Sequence, residues 1–166
     1  MISRVPTDPS SRLVRIDVWG TAVFAVVVGA AIPLRDERPA QWAVAVVSIV
    51  LFAIGVASSL VAYTSALERS RVEEVGVANL FLLTGPTAPP GVKRTMSLLL
   101  GAQVAVGLTG AIVGASGLSE GQLNALAFGV LVPMFGIGMN GMWAARYGAF
   151  GPRVASSVQP TNRKID

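Results

Sequence analysis

The chain has 166 residues, 52% of them hydrophobic and 13% charged, with a mean hydropathy of +0.63, a balance too apolar for an ordinary soluble domain and expected of an integral membrane protein. It contains no cysteine and no histidine, which excludes disulfides, thiolate or imidazole metal sites, His-ligated haem, and Ser-His-Asp or Cys-His catalysis. Thirteen Lys and Arg against nine Asp and Glu give a net charge of +4, but the basic residues are scattered beside apolar runs and form no stripe for nucleic acid.

Four apolar runs are long enough to cross a hydrocarbon core of roughly 30 Å at about 1.5 Å per residue: residues 18–34, 41–63, 95–118 and 122–145. The first is short and closes at Ile32-Pro33-Leu34, where proline disfavours helix. A cleaved signal peptide is the alternative for it, given Gly29, Ala30 and Ala31 near its end. Arg35-Asp36-Glu37-Arg38-Pro39 and Ser119-Glu120-Gly121 read as tight hairpin connections. Eleven of the thirteen basic residues fall in the N-terminus, the central loop and the tail, so the positive-inside rule places all three in the cytoplasm. Trp19, Trp42, Trp143, Tyr63 and Tyr147 fall near span ends, as an interfacial aromatic belt requires.

The central loop, 66–93, begins with Leu67-Glu68-Arg69-Ser70-Arg71-Val72-Glu73-Glu74-Val75, whose Arg69–Glu73 and Glu68–Arg71 spacings predict a cytoplasmic helix continuing the second span. It turns apolar over 77–83, which predicts an interfacial helix, and then breaks at Thr84-Gly85-Pro86-Thr87-Ala88-Pro89-Pro90-Gly91. The expected fold is all-α: an integral membrane four-helix bundle of two helical hairpins with a cytoplasmic interfacial helix. It comprises a cytoplasmic segment 1–16, a membrane domain 17–145 and a cytoplasmic tail 146–166.

Gly136-x-Gly138-x-x-Gly141 has the letters of a dinucleotide fingerprint but lies in an apolar helical run without the strand such a site needs. With Gly107, Gly110 and Gly114 it reads instead as a small-residue face that packs the third and fourth spans tightly together. Pro133 predicts a kink near mid-membrane, of the kind that exposes backbone polar groups in transporters. Gln103 and Asn140 are the carboxamides at membrane depth, and with Pro133 they form a candidate polar intramembrane site. No Asp, Glu, Lys or Arg lies within the four runs as bounded here, which argues against a proton relay or coupling-ion site. Glu73, Glu74, Phe81, Arg146 and Arg153 form a candidate partner surface. No nucleophile with its base is visible, so no catalytic residue, cofactor or metal ligand is assigned.

The stretch 77–83 with its Gly-Pro loop, and Leu126-Ala-Phe-Gly-Val-Leu-Val-Pro-Met-Phe-Gly136 followed by Trp143-Ala-Ala-Arg-Tyr-Gly-Ala-Phe-Gly-Pro-Arg153, resemble small uncharacterised four-span membrane proteins of actinobacterial type. The likeness covers most of residues 15–153 and implies a fold without an activity or a site. The functional expectation is a non-enzymatic accessory or scaffold component of a bacterial inner-membrane complex, contacting anionic lipid headgroups and other membrane proteins or copies of itself. The alternative is a small oligomeric channel or carrier for an uncharged or weakly polar solute. The charge asymmetry predicts that reporters fused after Arg38 and Glu120 read as outside and those after Arg71 and Arg153 as cytoplasmic; an outside signal after Arg71 would break the four-span topology.

Overall fold

The computed structural model describes residues 9–34, 36–116 and 124–153. In chain order the elements are helix α1 (Pro9–Ala31), helix α2 (Arg38–Arg69), strand β1 (Glu73–Glu74), short helix α3 (Val77–Leu82), helix α4 (Pro90–Ala115), a 3-10 helix (Ala125–Leu131), helix α5 (Pro133–Tyr147) and strand β2 (Gly151–Pro152). Proline lies in the first two residues of every long helix, as Pro9, Pro39, Pro90 and Pro133. Its missing N–H there is one that a first turn leaves unpaired anyway, and its fixed φ suits the helix.

Four segments are long and apolar enough to cross a membrane: Ser10–Ala31, Arg38–Arg69, Pro90–Ala115 and Ala125–Tyr147. The fourth is the most enclosed and α4 the least. It is not one continuous α-helix, because the 3-10 helix gives way to α5 at Pro133. The predicted kink is thus a change of helix type with a fresh helix start.

The span boundaries differ from the hydropathy reading, and the third helix begins at Pro90, within the segment expected to break. The first helix begins at Pro9 and ends at Ala31, not at 18 and 34. Arg12 and Arg15 lie exposed on its outer side while Leu13 and Asp17 are buried on its inner side, so charge lowers the local hydropathy without stopping the helix. The second helix runs on past 63 as far as Arg69 and stops there, so the chain over 70–75 is not helical. Residues 73–74 pair instead with the tail, Glu73 opposite Pro152 and Glu74 opposite Gly151, in an antiparallel ribbon. The helix at 77–82 does form, but Leu80 and the following Leu83 are fully enclosed. Leu83 ends it in the left-handed region at φ 53°, a conformation unfavourable for a branched side chain and here held by its burial. The aromatic belt is also incomplete: Trp19 sits near the midpoint of α1, and Trp143 is only 3% exposed, tilted against Tyr147 at 5.9 Å. The expected connection at 119–121 lies outside the described residues, as do the tail beyond 153 and the first eight residues.

Small residues set the closest approaches, and the expected pairing of the third and fourth spans accounts for some of them, Gly107, Gly114 and Gly136 among these. A Cβ on Gly107 would stand 2.6 Å from the carbonyl oxygen of Gly129, and one on Gly114 would collide with Asn124. These two, with Gly110 beside Val28 and Leu126, seat α4 on α1 and on the 3-10 half of the fourth span. Gly138 and Gly141 face elsewhere: Gly138 lies against the backbone of Gly55 in α2, and Gly141 against Phe81 and Ala62. The glycines of the third and fourth spans therefore do not interlock as a single seam. Gly138→Ala forces α2 and α5 apart backbone from backbone, whereas Gly110→Ala meets the Val28 methyl at 3.2 Å. Thermal unfolding in detergent should show Gly138→Ala destabilised by about 1–3 kcal/mol and Gly110→Ala far less; equal effects would contradict the assigned interfaces.

Candidate functional site

The buried face of α1 repeats at helical spacing as Leu13, Asp17, Thr21, Phe24, Val28 and Ala31. Two of these six are polar, and they are consecutive one turn apart. Asp17 is 0% exposed, and so is Gln103, which stands at the midpoint of α4 (Pro90–Ala115). The Gln103 Nε2 amide donates to Asp17 Oδ1 at 3.1 Å and to Thr21 Oγ1 at 2.7 Å. Its Oε1 accepts the backbone N–H of Gly136 at 3.1 Å. One carboxamide thereby joins α1, α4 and the first turn of α5 at the mid-height of the bundle.

That Gly136 N–H is free to bond Gln103 because of the helix start at Pro133. The first four N–H groups of a helix lack intrahelical acceptors. Pro133 has none, and the N–H of Phe135 turns back to the Val132 carbonyl at 2.8 Å. A side chain at 136 would meet Gln103 Oε1 at 2.6 Å, so glycine is what admits the carboxamide.

Asp17 corrects the expectation that no ionisable side chain lies within a span. Its second oxygen, Oδ2, is buried without a hydrogen-bond partner. Among the described residues the one ion pair is Arg69–Glu73, far from it at the ribbon end of α2, so no described cation balances Asp17. A carboxyl at membrane depth is costly and marks a functional position by default. Around it the site offers one carboxyl, one hydroxyl and one carboxamide. Among the described residues, no three His, Cys, Asp or Glu gather as a metal cluster.

The other expected site residues separate. Pro133 adjoins the Gln103 clasp through the helix it starts, but Asn140, one turn beyond Gly136, turns away to α3 and donates to the Phe81 carbonyl at 3.0 Å. Its Oδ1 is buried without a partner. Phe81 is half-buried, with its ring packed against Gly141. Glu73, Glu74 and Arg153 do come together, lining a groove of about 390 Å³ beside the ribbon with Ser70 and Val75. Arg146 is exposed.

Arg69 organises that end of the molecule, which sequence spacing predicted only as a pair with Glu73. The pair forms at 2.7 Å, across a turn and not along a helix. The same guanidinium donates to the carbonyls of Ala145 at 3.1 Å and Gly148 at 3.0 Å and lies 4.8 Å from the Phe150 ring centroid. It thus satisfies the last carbonyls of α5, where a cation also complements the helix dipole. Arg153 closes the ribbon by donating to the Ser70 carbonyl at 2.7 Å. Asp17 and Thr21 were missed because they fell before or near the start of a hydropathy window. The signal that reveals them is the helical spacing of α1's apolar residues, which runs straight through both.

In comparisons with family models, curated proteins and solved structures, nothing matches the chain. Gln103→Leu strips Gly136 N–H and Asp17 Oδ1 of their partner, and thermal unfolding in detergent should show a loss of about 1–3 kcal/mol. An unchanged melting temperature would remove the clasp as a structural element.

Proposed function

We propose that this chain is a non-enzymatic, multi-pass protein of a bacterial inner membrane that carries a small polar or cationic solute across the bilayer by way of the Asp17–Thr21–Gln103 site. The carrying observation is the Asp17 carboxyl, enclosed at mid-height with one oxygen unpartnered, beside the break in the fourth span. Carriers place substrate sites near the midplane at discontinuous helices; the break at Pro133, with the Gly136 N–H bonded by a side chain of another helix, lies at such a point. The basic residues of the N-terminus, central loop and tail favour a cytoplasmic position for both termini. The scaffold expectation rested largely on the supposed lack of a buried charge, and that ground is gone.

A second reading, an accessory component that binds another membrane protein or a second copy, is favoured by the outer face of α4. Ser97, Gly101, Ala105 and Thr109 lie exposed there at four-residue spacing, a pattern that lets helices approach closely. The groove at Glu73, Glu74 and Arg153 would serve the same role outside the bilayer.

The purified protein in liposomes separates the two. With small polyols, amides and methylammonium as probes, vesicle swelling should show protein-dependent entry that Gln103→Leu slows about tenfold or more, as loss of a bond to a charged group implies. Entry no faster than in empty vesicles for every probe, together with a stoichiometric partner lost on Gly101→Leu, would replace the carrier with the accessory reading.

A further inference from the structure

Gln103 holds Asp17 by one oxygen and leaves the other without a partner. As found, Nε2 donates to Asp17 and Oε1 receives the Gly136 N–H. The orientation is fixed by chemistry, since a backbone N–H can bond only the oxygen of the carboxamide. This arrangement suits an ionised Asp17, which only accepts. A protonated Asp17 keeps one accepting oxygen for Nε2, so the same contacts serve both states, and the seat for the proton is Oδ2, buried without a hydrogen-bond partner.

We propose that Asp17 binds and releases a proton inside the bundle, on the buried oxygen Oδ2 that no hydrogen bond occupies, beside the first turn of α5. The carboxylate takes up one proton to become the acid and returns it as a proton; no other bond forms or breaks. The other charged and titratable groups of the elements packed on α1 lie towards their ends: Arg38, Tyr63, Glu68 and Arg69 on α2, Lys93 and Arg94 on α4, Arg146 and Tyr147 on α5. Arg12 and Arg15 of α1 itself are exposed. Among the described residues, the polar groups beside Asp17 are the Gln103 carboxamide and the Thr21 hydroxyl, and no cation pairs with it. The proposal rests on the carrier reading for its role, but not for proton binding itself.

Infrared difference spectra of the full-length protein in liposomes, recorded through a pH titration, test it directly. A protonated-carboxyl stretch should appear and vanish with pH in the wild type and be missing from Asp17→Asn. Asp17→Glu should keep a titrating band at a displaced frequency, which identifies the group even if the asparagine variant does not fold. Gln103→Leu should change the proton affinity by about tenfold or more. Identical spectra in wild type, Asp17→Asn and Asp17→Glu would overturn the proposal, and so would loss of the band on adding sodium ion at fixed pH, which would assign the site to a metal cation. A titrating Asp17 band without solute entry would remove the carrier reading and leave the proton site standing. Solute entry with no titrating Asp17 would do the reverse.

Discussion

The bundle turns on a single carboxamide. Gln103 has two hydrogens and an acceptor oxygen, and all are used: Asp17 and Thr21 of α1 on one side, the Gly136 N–H of α5 on the other. Interhelical polar bonds within membranes contribute only about 0.5–2 kcal/mol each, so Gln103 is not the main source of cohesion. That comes from close backbone approach at Gly55 against Gly138 and Gly107 against Gly129. What the carboxamide supplies is registry. Sliding any of the three helices by one residue would strand a buried polar group, at a cost larger than the bond itself contributes.

Helix α5 is held from outside at both ends. At its first turn, the N–H of Gly136 is satisfied by Gln103; at its last, the carbonyls of Ala145 and Gly148 are satisfied by Arg69. The charges follow the helix dipole, with the acid Asp17 on the side of the N-terminus and the cation at the C-terminus. The C-terminal end is further anchored by the ribbon and by the Ala149 N–H to Thr87 carbonyl bond at 3.0 Å. The glycine contacts with α2 hold the first turn as well, since a Cβ on Gly55 would stand 2.5 Å from the Phe135 backbone nitrogen.

Hydropathy carried the four apolar helices, their approximate lengths and the discontinuity at Pro133, because those depend on composition over long windows. It failed at Asp17 and Thr21 because averaging merges them with Arg12 and Arg15, which face the opposite way on α1. Periodicity was the better instrument there: Leu13 to Ala31 at intervals of three and four passes through both polar residues. The end of α2 was illegible for a different reason. Arg69 and Glu73 have helical spacing, but the ribbon pairing of Glu73 with Pro152 and the bonds from Arg69 to α5 depend on a tail 75 or more residues away. The glycines were correctly read as packing positions, while their partners depended on which helix α5 meets.

Structure alone does not require a carboxyl at position 17. Gln103 needs acceptors for its two N–H hydrogens, and Thr21 already takes one at 2.7 Å. A serine, threonine or asparagine at 17 would supply the second acceptor without a formal charge, and would leave no carboxylate to be stabilised at membrane depth. The second oxygen of Asp17 contributes no bond at all, so half of its accepting capacity is idle in the packed state. What distinguishes a carboxyl from these neutral acceptors is the ability to exchange a cation, the proton included. A buried group whose hydrogen-bonding duties a cheaper side chain would meet is better explained by that property than by packing.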